Sequence, residues 1–116
     1  MTITTNNLHL HTEQQVFDYI AHHLLEQQEH SLNADGECVY HSEDGLKCAA
    51  GCLIPDEDYC EELEDSHWSF LTAVGRVNEA HAEIIARMQS LHDKSAVRLW
   101  GQRLKELAQE RGLVYA

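Results

Sequence analysis

Val16, Phe17, Ile20, Leu24 and Leu25 recur at the three-to-four-residue spacing that lays one apolar stripe along an α-helix. Thr12 stands just before the stripe with Gln15 three positions on, the pairing that satisfies free amides at a helix start. A first helix is therefore predicted over residues 13–30. Residues 1–11 show no such period and read as a flexible leader. The pattern changes after residue 31. Asn33, Asp35 and Gly36 have a loop composition, and two short strand-like runs follow at 38–41 and 46–49. Between these runs lies Ser42-Glu43-Asp44-Gly45, and Asp-Gly is a strong hairpin signal. Pro55 ends the next apolar run and suits the first position of a short helix over 55–59.

Trp68, Phe70, Leu71 and Val74 predict a short helix or buried turn beneath an acidic segment. Asn78 is placed to cap a helix carrying Ile84, Ile85, Met88 and Leu91. Asp93 or Ser95 would cap the last helix, which presents Val97, Trp100, Leu104, Leu107 and Ala108 on one face and stops at Gly112. The link between these helices is short enough to make them antiparallel neighbours. The expected fold is α+β and predominantly helical: a long N-terminal helix, a central β-hairpin and a C-terminal antiparallel helix pair. It forms a single domain over 12–116, with no internal repeat and no low-complexity tract.

Charge adds a direction to this outline. The 116 residues carry a formal charge of −12, unevenly spread. Residues 35–65 hold eleven acids against Lys47 alone, whereas residues 66–116 hold five acids and seven bases. Such a chain repels nucleic acid and anionic membrane and attracts basic protein surfaces. The exposed candidates for a partner contact are Glu43, Asp44, Asp56, Glu57, Asp58, Glu61 and Glu62, with Tyr40, Tyr59 or Trp68 as aromatic anchors or, equally, as core residues. Acidity also aids solubility without any partner.

Candidate chemistry is sparse. The four cysteines, Cys38, Cys48, Cys52 and Cys60, are spaced C-x9-C-x3-C-x7-C, unlike the paired knuckles of structural zinc sites. Core packing is the favoured role for them, and zinc binding by the four is the alternative. The nine histidines form no HExxH, and Glu64 with His67 lacks the second Glu-x-x-His that a di-metal site needs. Neither a G-x-S-x-G elbow nor a phosphate-binding glycine loop is present, and acidic surroundings would blunt a cysteine nucleophile. The pattern therefore predicts neither an enzyme nor a cofactor. No run of apolar residues is long enough to span a membrane, and the first ten residues lack an export signal, so a cytoplasmic protein is expected.

The block from Cys38 to Tyr59 contains a C-x-Y, then D-G-x-x-C-A-x-G, then L-I-P-D-E-x-Y. In this it resembles a family of small uncharacterised proteins encoded by phages and prophages. Weaker similarity extends to 15–18, His23-Leu24, 91–93 and Trp100. Arg commonly follows the Tyr in that pattern, where His41 stands here. Position 52 is often Ala, and position 60 lies outside the pattern. The resemblance thus implies no shared four-cysteine site and leaves Cys38 and Cys48 as a recurring pair facing each other in the hairpin. It also implies a setting, the host bacterial cytosol. Small acidic proteins of that origin act on host factors, as anti-CRISPR inhibitors and nucleic-acid mimics do.

The leading expectation is an inhibitor of a host protein with a basic surface, such as a nucleic-acid-binding defence factor. Direct binding to nucleic acid or membrane is not expected. The alternatives from other classes are a small cysteine-based zinc-binding regulatory module and an oligomerisation unit, a homodimer in which the last two helices pair between chains.

Overall fold

The computed structural model describes residues 2–115 and contains four α-helices joined by short 3-10 turns: α1 (Glu13–Gln27), α2 (Trp68–Ala73), α3 (Ala82–Lys94) and α4 (Trp100–Arg111). Helix α1 starts where its capping box requires. The Thr12 hydroxyl accepts from the Gln15 amide at 3.1 Å, and the Gln15 side chain accepts from the Thr12 amide at 2.9 Å. It ends earlier than the stripe suggests, because Gln28 adopts φ 54° and turns the chain away. That turn frees His30 to pack edge-on against His92 and Trp100, with ring centroids 5.2 Å apart in each case.

One hydrophobic core joins the helices. Val16, Phe17, Ile20 and Leu24 of α1 meet Ile84, Ile85 and Met88 of α3 and Trp100, Leu104 and Leu107 of α4. Helices α3 and α4 run antiparallel. Glu83 and Arg87 at the start of α3 pair with Arg111 and Glu110 at the end of α4, while Trp100 donates to the Ser95 carbonyl at the opposite end. The caps differ from the sequence pattern. Asp93 lies inside α3, Ser95 closes it, and His81 precedes it with φ 58°. Asn78 instead receives the Ala80 amide at 2.9 Å. A 3-10 turn, Val97–Leu99, leads into α4, which Gly112 terminates at φ 71°.

The expected central hairpin does not form, and the α+β assignment is corrected to a helical fold without a sheet among the described residues. In its place stand two consecutive loops of the same design, each closed by a single antiparallel bridge, Leu32 with Cys38 and His41 with Lys47. The Asn33 amide donates to Glu37 O and Val39 to Ser31 O; nine residues on, Ser42 donates to Leu46 O and Cys48 to Tyr40 O. Each loop has a glycine at positive φ, Gly36 at 81° and Gly45 at 89°. Each opens on a side chain that accepts loop amides, Asn33 in the first and Ser42 in the second. A nine-residue structural repeat is therefore present, where none was expected. Asp-Gly turns the chain in both loops, but pairing stops after one bridge because the next amide is diverted, Ser31 to His92 Nε2 at 3.1 Å in the first loop and Tyr40 to a carboxylate in the second.

Residues 2–11 are also not a loose leader. Ile3 and Leu8 are fully buried in the common core, and the Thr5 amide donates to Leu53 O at 2.8 Å. Two isolated apolar residues carry no period, which is why the pattern did not reveal them.

Candidate functional site

Glu64 organises the region of highest negative charge. One of its carboxylate oxygens accepts from the Tyr40 amide at 2.8 Å, and the other accepts from the His41 amide at 3.2 Å and the Tyr59 hydroxyl at 2.5 Å. The bond to Tyr40 takes the amide that a longer hairpin would have used. The Tyr59 ring stacks on His41 at 4.3 Å, and His41 Nε2 donates to the Gly51 carbonyl at 2.9 Å. Burial first, and then the bond to Glu64, pushes the Tyr59 hydroxyl well above its ordinary range. Gly51 lies directly under Tyr40, so the C-x-Y and C-A-x-G elements form one packed unit.

This clamp draws the loops at 42–46 and 55–64 together at the surface. Glu43 and Glu61 line the same shallow cleft beside His41 and Tyr59. All seven carboxylates singled out from the sequence, Glu43, Asp44, Asp56, Glu57, Asp58, Glu61 and Glu62, are exposed. Two have cationic neighbours. Lys47 Nζ lies 3.1 Å from Asp56, by hydrogen bond and charge holding its carboxyl below the usual range, and Arg76 lies 3.7 Å from Glu62. Among the described residues, Glu43, Asp44, Glu57, Asp58 and Glu61 have no ion-pair partner. Asp58 accepts one bond from Asn6 at 3.2 Å.

Of the aromatic candidates, Tyr59 lies half-buried in this cleft, whereas Tyr40 and Trp68 are not on the surface. Tyr40 and Trp68 are 5% and 2% exposed and pack edge to face at 6.2 Å, while the Tyr40 hydroxyl donates to Ser66 O. Trp68 separates two shallow clefts that share His67, Gln89 and Asp93, and its indole N–H has no partner among the described residues. That N–H is sealed from solvent, so neither cleft reaches it.

The four cysteines are held by different partners. Cys48 Sγ accepts from the Gly51 amide, Cys52 donates to Ala49 O, and Cys60 accepts from Arg76. Burial pushes the Cys52 thiol up to about 12 and the Cys48 thiol well above its ordinary value. Cys38 joins another group: its Sγ, a ring nitrogen of His92 and an Asp93 oxygen lie within 4.8 Å of one another. The hydrogen bonds of His92 argue against a metal at this trio. His92 Nε2 accepts from the Ser31 amide at 3.1 Å, so the neutral ring carries its proton on Nδ1 and donates to Asp93 at 2.8 Å. A metal on Nδ1 would force that proton onto Nε2, against the Ser31 N–H. Burial and the neighbouring Asp93 push the Cys38 thiol up to about 11, which makes it a poor nucleophile.

His92 is the residue that periodicity missed. It sits on the apolar face of α3 with Ile85 and Met88, fully buried and stacked on Trp100 at 5.4 Å. Leu91, assigned to that face from the pattern, is only partly buried. A histidine one position after an apolar residue gives no signal by itself.

The chain matches no protein-family model, no curated protein and no solved structure. No helix among the described residues is long and apolar enough to cross a membrane.

Proposed function

We propose that this chain is an acidic interaction protein of phage or mobile-element origin that binds a basic surface of a host protein and inhibits it. An anti-defence role, as an anti-CRISPR-like inhibitor or nucleic-acid mimic, is the form that size, charge and the phage-like motif favour. The observation that carries the proposal is the exposure of all seven predicted carboxylates on two loops fastened together through Glu64. A fixed array of carboxylates presents a preformed negative field, which speeds encounter with a basic partner and lowers the ordering cost of docking. Lys47 is the one base among residues 35–65, and its pairing with Asp56 leaves the field of the other acids largely unopposed.

The test is affinity capture from a bacterial lysate with the wild-type chain and with D56K/E57K/D58K, each checked for folding by circular dichroism. A basic protein retained by wild type and lost by the variant supports the proposal. Equal retention of that protein by both sinks it.

A further inference from the structure

Helix α2 divides its apolar residues between two faces. Trp68 and Leu71 point into the core, whereas Phe70 and Val74 are 56% and 53% exposed. Helical spacing places Phe70, Ala73 and Val74 together, opposite Trp68 and Leu71, and Ala73 is exposed as well. Of the two forms expected for this segment, a short helix or a buried turn, the structure has the helix, and only Trp68 and Leu71 of its large apolar residues are buried. A contiguous exposed Phe–Ala–Val face is a common mark of a contact site.

Its position ties it to the acidic surface. The chain reverses after α2 at Gly75, with φ 78°, and the Arg76 guanidinium reaches back to Glu62 at 3.7 Å and to Cys60 Sγ at 3.4 Å. Asp58 shares an open cleft with Gly75, Arg76 and Val77. The C-terminal end of the apolar face therefore borders Asp58 and Glu62, two of the carboxylates assigned to the partner contact. An apolar centre beside a charged rim is the usual anatomy of a protein interface, in which the centre supplies most of the affinity.

We infer that the outer face of α2 is the apolar anchor point of the acidic surface, and that it receives an amphipathic basic helix of the partner. Charge complementarity chooses the occupant. Asp58 at the border has no ion-pair partner among the described residues and favours Lys or Arg on the incoming segment beside the Arg76–Glu62 pair, and Phe70 with Val74 requires an apolar side chain next to that base. A helix with apolar residues one turn apart and bases beside them meets both demands. The inference rests on the proposed function and adds a position and a chemistry to it.

The probe is a fluorescein-labelled amphipathic helical peptide of Lys and Leu, compared with an isomer of the same composition whose Leu residues are scattered round the helix. Fluorescence anisotropy reads binding to wild type, to F70S/V74S and to F70L/V74I, with circular dichroism confirming the fold. Wild type is expected to prefer the amphipathic isomer by about tenfold. F70S/V74S should lose that preference while retaining salt-sensitive binding of both isomers, and F70L/V74I should keep it. Equal binding of both isomers by wild type, or a preference that survives in F70S/V74S, overturns the inference and leaves the acidic contact standing. Absence of binding to either peptide at low salt overturns both.

Discussion

Gly51 lies so close beneath Tyr40 that a Cβ on it would sit 2.0 Å from the Tyr40 carbonyl oxygen. The obstacle is backbone and cannot swing aside, and both segments are pinned: the Cys48 amide donates to the same carbonyl, and Gly51 O receives His41. Gly51→Ala should therefore force residues 38–41 off the turn at 48–51 and destabilise the chain by about 2 kcal/mol or more. Urea melts measure this, and an unchanged midpoint would contradict the packing described.

Glu64 differs in kind from the acids around it. It accepts two backbone amides and a tyrosine hydroxyl, whereas Glu61 makes no ion pair among the described residues. Glu64→Gln leaves one amide facing an NH2 group and should cost about 1–3 kcal/mol. Glu61→Gln should fall within about 0.5 kcal/mol of wild type. Thermal melts of the two variants in parallel decide the matter.

Burial lowers the proton affinity of His23, and the nearby Lys47 charge adds to the effect, although its Nε2 donates to Lys47 O at 2.8 Å. The unfolded chain takes up a proton as pH falls below 6.5, while folded His23 resists it until a lower pH. Its contribution to stability is therefore full above 6.5 and declines on acidification. His23→Gln should lose less stability than wild type between pH 7 and about pH 5.5. Identical losses would show that His23 is not a source of the acid sensitivity.

The thiols predict the opposite flank. Cys38 is pushed up to about 11 and Cys52 to about 12, against an ordinary value of 9.0. An unfolded thiol ionises above that value and a folded one does not, so stability declines as pH rises from 9 towards 11. Cys38→Ser should flatten this expected alkaline decline, measured as melting temperature against pH. Alkylation near pH 8 should likewise be slow in the folded chain and fast in urea; rapid labelling of Cys48 without denaturant would contradict its burial.

Local signals carried much of this fold. The Thr12–Gln15 capping box, the α1 stripe and the Gly112 stop are short-range features, and each has its expected physical role. The hairpin failed for a long-range reason. Asp44-Gly45 makes its turn, but Glu64, more than twenty residues from Tyr40, captures the Tyr40 amide that the next rung would have used. The repeat of the two Asp-Gly loops was masked because Leu32 and Glu37 in the first correspond to His41 and Leu46 in the second, so backbone geometry repeats where side-chain chemistry does not. The acidic surface was legible from charge alone, since exposed carboxylates are the default. The division of Phe70 and Val74 from Trp68 and Leu71 was not, because apolar residues on both faces leave the buried side undetermined.

The most direct test of the proposed acidic contact is the association rate with a basic protein recovered by the affinity capture, measured across ionic strength for wild type and D56K/E57K/D58K. A preformed negative field predicts a wild-type rate that falls steeply as salt rises and a slower, flatter response in the variant. A wild-type rate that does not change with salt, matched by the charge-reversed chain, would contradict the central claim.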